Sequence, residues 1–276
     1  MKRALRYSII LCIVSWLFFA LIYYVGNVRS VTNPLYIPIA SVYMLLPMIC
    51  ALTMERFEGR GERRTLNLVS FKMNWYWLIA LLLPILITLI VVAIDIWLLR
   101  LGYKTEPIVP QSVLDSLGSD KLQQILSNRT NLALLVLLES LIAGSTINAL
   151  FAFGEEYGWR KYLVESLQDR GFMEVALFIG GVWGIWHLPM ILIGHNYAEH
   201  NIAGIFMMIL FCMSLGVLEL YVVVKCRSVV AAAVLHGTIN AAATTERHFT
   251  TTYSSKTPND IQNSIIINMP AILCSA

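Results

Sequence analysis

Apolar residues gather in runs whose lengths approach the roughly 20 residues that cross about 30 Å of hydrocarbon as a helix. Such runs occupy 7–25, 36–54, 75–99, 132–153, 172–193 and 202–224. Two weaker ones follow: 229–244 is short, and 261–276 is interrupted by Asn268 and Pro270. The pattern predicts an all-α, polytopic transmembrane bundle of about eight helices, the last a partial span. The first run follows Lys2, Arg3 and Arg6 as a signal peptide would, yet it ends in Gly26-Asn27-Val28-Arg29 rather than a small-x-small cleavage site. It is expected to remain as the first helix.

Charge then orients these spans. The N-terminus and the 55–74 loop are rich in basic residues (Arg56, Arg60, Arg63, Arg64, Lys72), whereas the 26–34 loop holds only Arg29 and 194–201 holds neither Lys nor Arg. Lys225 and Arg227 fall on the rich side, so both termini are expected to be cytoplasmic. The 100–131 segment, with Pro107, Pro110 and mixed charges, is expected outside, where it could carry a short amphipathic helix.

Composition fixes the class. With 58% hydrophobic and only 13% charged residues, and a mean hydropathy of +0.69, the chain lacks the polar surface of a soluble globule. A multi-pass protein of the cell membrane, with the lipid bilayer as its partner, is expected. The net charge of +3 adds only compatibility with anionic lipid, and no basic patch with interleaved aromatics supports nucleic-acid binding. Cys12, Cys50, Cys212, Cys226 and Cys274 lack metal or disulfide spacing and read as small apolar fillers. No linker, repeat or low-complexity stretch divides the chain, so 1–276 reads as one membrane domain. Its oligomeric state is not legible.

Against this background three polar stretches stand out, because ionisable groups inside a membrane are seldom kept without partners or a task. The first is Glu155-Glu156-Tyr157-Gly158-Trp159-Arg160. Successive helical residues are about 100° apart, so the two carboxylates cannot point at one target. Glu156 stands four residues before Arg160, the favourable order for an ion pair within a helix. Glu155 is left to aim elsewhere, along the face it shares with Trp159.

The second stretch runs from Gly180 through Trp183 and Gly184 to His187, with small residues that allow helices to approach closely. If 168–171 forms a turn between antiparallel helices, Glu155 and His187 are equally far from Gly171 and lie at similar depth. The third stretch carries His236 and Asn240 on one helical face. A carboxylate and an imidazole holding a water can draw off its proton. A second imidazole and an amide opposite could stabilise a tetrahedral oxyanion. These are the parts of a hydrolase that cleaves an amide bond without a protein nucleophile.

The three motifs resemble those of the CAAX protease and bacteriocin-processing family of intramembrane glutamate proteases. That family's pattern is Glu-Glu-x-x-x-Arg, then Phe-x-x-x-His, then His-x-x-x-Asn or Asp; here stand Glu155, Glu156 and Arg160, then Trp183 and His187, then His236 and Asn240. The resemblance covers roughly 132–243, a core within the single domain, and departs from the pattern in having Trp183 where Phe is usual, another large aromatic at a packing position. It implies that Glu155 and His187 activate water, that His236 and Asn240 form the oxyanion site, and that Glu156, Arg160 and Trp183 give structural support.

The expected function is therefore an intramembrane endopeptidase acting on a peptide or a membrane-associated protein. Family members are linked to bacteriocin maturation and self-immunity. Glu155, His187 and His236 are also suitable ligand types for zinc, although no His-Glu-x-x-His occurs; metal-dependent and metal-free water activation both stay open. A serine mechanism is disfavoured because Gly144-Ser145-Thr146 lacks the second glycine of Gly-x-Ser-Gly, and an aspartyl mechanism because only Asp95 lies in an expected span. The same polar groups could instead hold together a non-catalytic scaffold or immunity protein, or relay protons in a transporter. Asp95, Glu139, Asn148 and Glu219 are not tied to chemistry, and the His195, Glu199, His200 cluster is rejected as a site for its poor spacing.

Overall fold

The computed structural model describes residues 1–58, 66–100, 137–138, 140–196 and 202–250. Within them the chain is helical, without a strand. Helix α1 is Lys2–Tyr24, α2 Tyr36–Phe57 and α3 Trp77–Arg100. A fourth rod, α4, joins four pieces end to end: a π-helical turn Gly144–Asn148, the α-helical Ala149–Glu156, a π-helical Tyr157–Leu163 and a last turn Val164–Ser166. Then come α5 Phe172–Trp186, the short α6 Leu188–Ile191, α7 Ile202–Cys226 and α8 Val229–Thr250. Three of these, α1, α2 and α7, are long and apolar enough to cross a membrane. The protein is an all-α membrane helix bundle.

Most expected spans appear with small shifts of their ends. Two differ in substance. The run expected as one span over 172–193 breaks after Trp186, and the physical cause is local: Pro189 cannot donate a backbone hydrogen bond. Its missing N–H would have met the Ile185 carbonyl four residues back. The next carbonyl, that of Trp186, is not met by Met190 N, which turns to His187 O, and accepts from Tyr43 Oη at 3.0 Å and Trp16 Nε1 at 3.3 Å. Two side chains from α1 and α2 thus satisfy a carbonyl that a broken helix would leave orphaned. The run at 229–244 extends to Thr250. The 100–131 segment beyond Arg100, the final run at 261–276, and Cys274 lie outside the described residues, as does the start of the run at 132–153.

Close approach of the helices rests on glycine. A methyl group at Gly184 would overlap Ile209 of α7, and one at Gly180 would overlap Cys212 and Met213. Between α4 and α8, a methyl at Gly237 would overlap the backbone of Gly144 and Ala149. These contacts bring α5 against α7 and α8 against α4 at backbone distance, as the small-residue pattern predicts.

One end of the bundle is held by ions. Arg3 of α1 grips Glu58 through two hydrogen bonds, Nε to Oε1 at 2.9 Å and Nη2 to Oε2 at 2.7 Å, and Tyr162 of α4 donates to the same carboxylate. Burial pushes the Glu58 carboxyl up, but Arg3, Tyr162 and Arg6 outweigh it and hold the group below its ordinary range. Lys161 is bound between Glu55 and Glu165, and Glu165 accepts from the Leu66 amide at 3.0 Å. At the α7–α8 turn, Ser228 donates to the Ser70 carbonyl, Val229 N to Leu68 O at 2.8 Å, and Asn74 Nδ2 to Lys225 O at 3.0 Å. The N-terminus contacts the end of α2 just before the 59–65 segment, and the segment after it, 66–74, contacts Lys225 and Ser228.

Candidate active site

Rod α4 carries the first motif across the junction between its α-helical and π-helical pieces, with Glu155 and Glu156 closing one and Arg160 inside the other. Such π segments are rare and recur at functional sites. All three side chains are buried, Glu155 to 3% exposure and Glu156 and Arg160 to 0%. Their partners follow the helical-face argument. Arg160 Nη1 donates to Glu156 Oε1 at 3.1 Å, while Glu155 Oε2 accepts from Trp159 Nε1 at 3.3 Å.

The same oxygen of Glu155 accepts a second indole proton, from Trp183 Nε1 at 2.7 Å. Trp183 is the point on which the motifs meet. Its carbonyl accepts from His187 Nδ1 at 2.8 Å, its ring lies 4.5 Å beneath the Arg160 guanidinium, and it stands edge-on to the His236 ring at 5.2 Å. An aromatic expected only to pack thus also donates a hydrogen bond that phenylalanine cannot.

His236 is buried to 1% exposure, and its Nδ1 lies 2.8 Å from Glu156 Oε1. Glu156 therefore binds both Arg160 and His236. Because a carbonyl and a carboxylate only accept, His187 and His236 each carry their Nδ1 proton toward the protein. Among the described residues neither Nε2 takes a hydrogen bond. On His187 that nitrogen is a free lone pair; on His236 it donates only when the ring is protonated. Asn240, on the same face of α8, has a buried Oδ1 without a hydrogen-bond partner among the described residues.

Sequence reasoning passed over Glu219. It is fully buried on α7 and pairs with Arg160 Nη2, with its other oxygen 3.8 Å from His236 Nδ1. Two signals could have found it: a lone carboxylate in an apolar span needs a partner, and the guanidinium fork has capacity for a second carboxylate beyond Glu156. Spacing along one helix speaks against the cluster of His195, and the structure does not use that spacing for His195. That residue is instead brought back by the chain reversal at Gly194, whose φ is 96°. Its ring lies parallel to His187 at 6.0 Å, and its Nδ1 is 2.6 Å from Tyr36 Oη. Glu199 and His200 lie outside the described residues.

The convergent ligand set differs from the expected one. Among the described residues Glu156, Glu219 and His236 bring ligand atoms within 4.8 Å of one another. Arg160 already sits against both of these carboxylates and supplies the cation they need, so the trio does not suit a divalent ion. Both site histidines do hold Nδ1 against an acceptor, as metal-ligating imidazoles commonly do.

Comparison with known proteins agrees with the motifs. Residues 123–242 match the family described as Rce1-like, type II CAAX prenyl endopeptidase. The CAAX prenyl protease 2 of Methanococcus maripaludis is 30% identical over 97 residues, which is 33% of this chain and 36% of that protein. The match thus spans about a third of the length of that curated relative. Over the stretch that carries Glu155, His187, His236 and Asn240, the chain is CAAX protease-like, similar to the Rce1-like type II CAAX prenyl endopeptidases.

Proposed function

We propose that the protein is an intramembrane endopeptidase that hydrolyses a peptide bond through a water activated by Glu155 and His187. The reading is carried by the direction of the hydrogen bonds around Trp183. Glu155 has one oxygen occupied by two indole donors, and His187 has its proton bound to a carbonyl. Each therefore keeps one acceptor, Oε1 and Nε2, on residues that share Trp183 as partner. A water drawn to these acceptors gives its proton to Glu155 as its oxygen bonds to the substrate carbonyl carbon. The carbonyl π bond opens to an oxyanion, stabilised by Asn240 Nδ2 and by His236 Nε2–H when that ring is protonated. Collapse of the intermediate reforms the carbonyl and breaks the C–N bond, and the proton held by Glu155 passes to the departing amine.

Glu156, Arg160 and Glu219 take no part in these transfers. They fix His236 and Trp183 by charge and stacking. Glu155, His187 and His236 are the ligand types a zinc would need, but among the described residues they are not the side chains whose ligand atoms converge within 4.8 Å, so they do not fit the ion, and no step above passes through a metal. The substrate is proposed to be a short peptide or the tail of a membrane-associated protein, with bacteriocin maturation or self-immunity as the process served. A prenylated tail is the other candidate, since the Methanococcus relative is named for that substrate. Both termini are proposed to be cytoplasmic in a multi-pass topology; the contacts of Arg3 with Glu58 and of Ser228 with Ser70 support one shared side for the basic segments.

The test is cleavage by the purified protein of two probes: an unmodified peptide library and a peptide ending in a farnesylated Cys-aliphatic-aliphatic-x tail. Each is run with and without chelator, beside Glu155→Gln. Cleavage by the wild type, lost in a folded Glu155→Gln, is expected. A wild type inert on both probes, or an active Glu155→Gln, overturns the proposal. Glu155-dependent, pH-driven uptake in vesicles without cleavage would identify a transporter, and neither activity a scaffold.

A further inference from the structure

We infer that the Trp183 indole N–H selects which oxygen of Glu155 acts on water, making Trp183 a positioning residue. The inference rests on the hydrolytic reading above. Its basis is the donor arrangement at one carboxylate. Trp183 Nε1 and Trp159 Nε1 both donate to Oε2, at 2.7 and 3.3 Å, and two donors saturate the two lone pairs of that oxygen. Among the described residues no hydrogen bond reaches Oε1, so Oε1 is the oxygen left to hold a water. The pair also stops rotation about the last side-chain bond, which would otherwise exchange the two oxygens freely.

The two indoles are not equivalent. Trp159 lies on the same rod as Glu155, four residues on, and moves with it. Trp183 lies on α5, is fully buried, and accepts at its carbonyl from His187 Nδ1. Its bond therefore sets the carboxylate relative to the imidazole. The motif this chain resembles has phenylalanine at the position, which keeps the ring and loses the donor. Trp183→Phe consequently removes the N–H while leaving a smaller aromatic ring at the position beside Arg160.

The experiment measures cleavage of the peptide found in the library screen by the wild type, Trp183→Phe and Trp186→Phe, over a range of pH. A hydrogen bond to a charged acceptor and the orientation it enforces lead to a kcat roughly ten- to a hundredfold lower in Trp183→Phe, with KM little changed. The acid limb of the profile should move to higher pH, because a carboxylate with fewer donors is protonated more readily. Trp186 donates to Ser15 Oγ at 2.8 Å rather than to Glu155, so its variant should leave that limb in place.

A second readout needs no substrate. The seven tryptophans give seven indole N–H resonances; the one lost in Trp183→Phe should move upfield in Glu155→Gln as the carboxylate becomes an amide. A Trp183→Phe enzyme with wild-type kcat and an unmoved acid limb overturns the inference, as does an indole resonance indifferent to Glu155→Gln. Failure of the wild type to cleave removes the hydrolytic reading instead, and the resonances tell the two failures apart.

Discussion

Removing the charge of Arg160 should cost this protein more stability than any single polar change elsewhere in the bundle. The guanidinium is fully buried and faces two carboxylates, Glu156 at 3.1 Å and Glu219 on its other amine. Breaking one buried ion pair by removing a partner costs about 3–5 kcal/mol, because the surviving charge stays desolvated. Here two carboxylates are stranded, with only His236 beside them, which places the loss at the upper end. Methionine is the better probe than alanine, since it fills much of the volume and isolates the charge. At about 2–4 °C per kcal/mol for a chain of this order of size, Arg160→Met should melt roughly 6–20 °C lower in detergent. Adding Glu156→Gln and Glu219→Gln should recover much of the loss, because a cluster neutralised as a whole leaves no unpaired charge. The assay is reversible thermal unfolding followed by tryptophan fluorescence. A shift of Arg160→Met within about 2 °C, the size of an ordinary surface substitution, would refute the burial argument and the placement of Glu219 with it.

Other consequences follow from the same geometry. Glu58 is a carboxylate held below its ordinary range, so its contribution to stability is present above its unfolded titration range and lost as pH falls through its folded one. Glu58→Gln should melt lower than the wild type at neutral pH, and the gap should close on acidification; an unchanged gap would show that the Arg3 contact contributes no charge-dependent stability. At Gly184 an added methyl meets the Ile209 backbone, whereas at Gly181 it meets nothing within 4 Å. Gly184→Ala should therefore be destabilised by about 1–3 kcal/mol and Gly181→Ala be neutral or slightly more stable, as read from paired melting curves; equal behaviour would disprove backbone contact between α5 and α7.

The sequence alone determined the all-α class and most helix positions, because apolar runs of membrane length have few alternatives once backbone groups must be paired away from water. It also determined the division of labour within α4. The i, i+4 spacings of Glu156 with Arg160 and of Glu155 with Trp159 are local, and a helix converts them into contacts directly. Tertiary structure decided what spacing along one helix could not encode. Glu219 joins Arg160 from α7, Trp183 crosses to Glu155 from α5, and His195 returns to His187 through the turn at Gly194. Each of these depends on the depth and rotation at which two helices meet, and those are set by where glycines permit backbone contact. A hydropathy pattern records that a residue is buried, but the identity of its neighbour is a property of the assembled bundle.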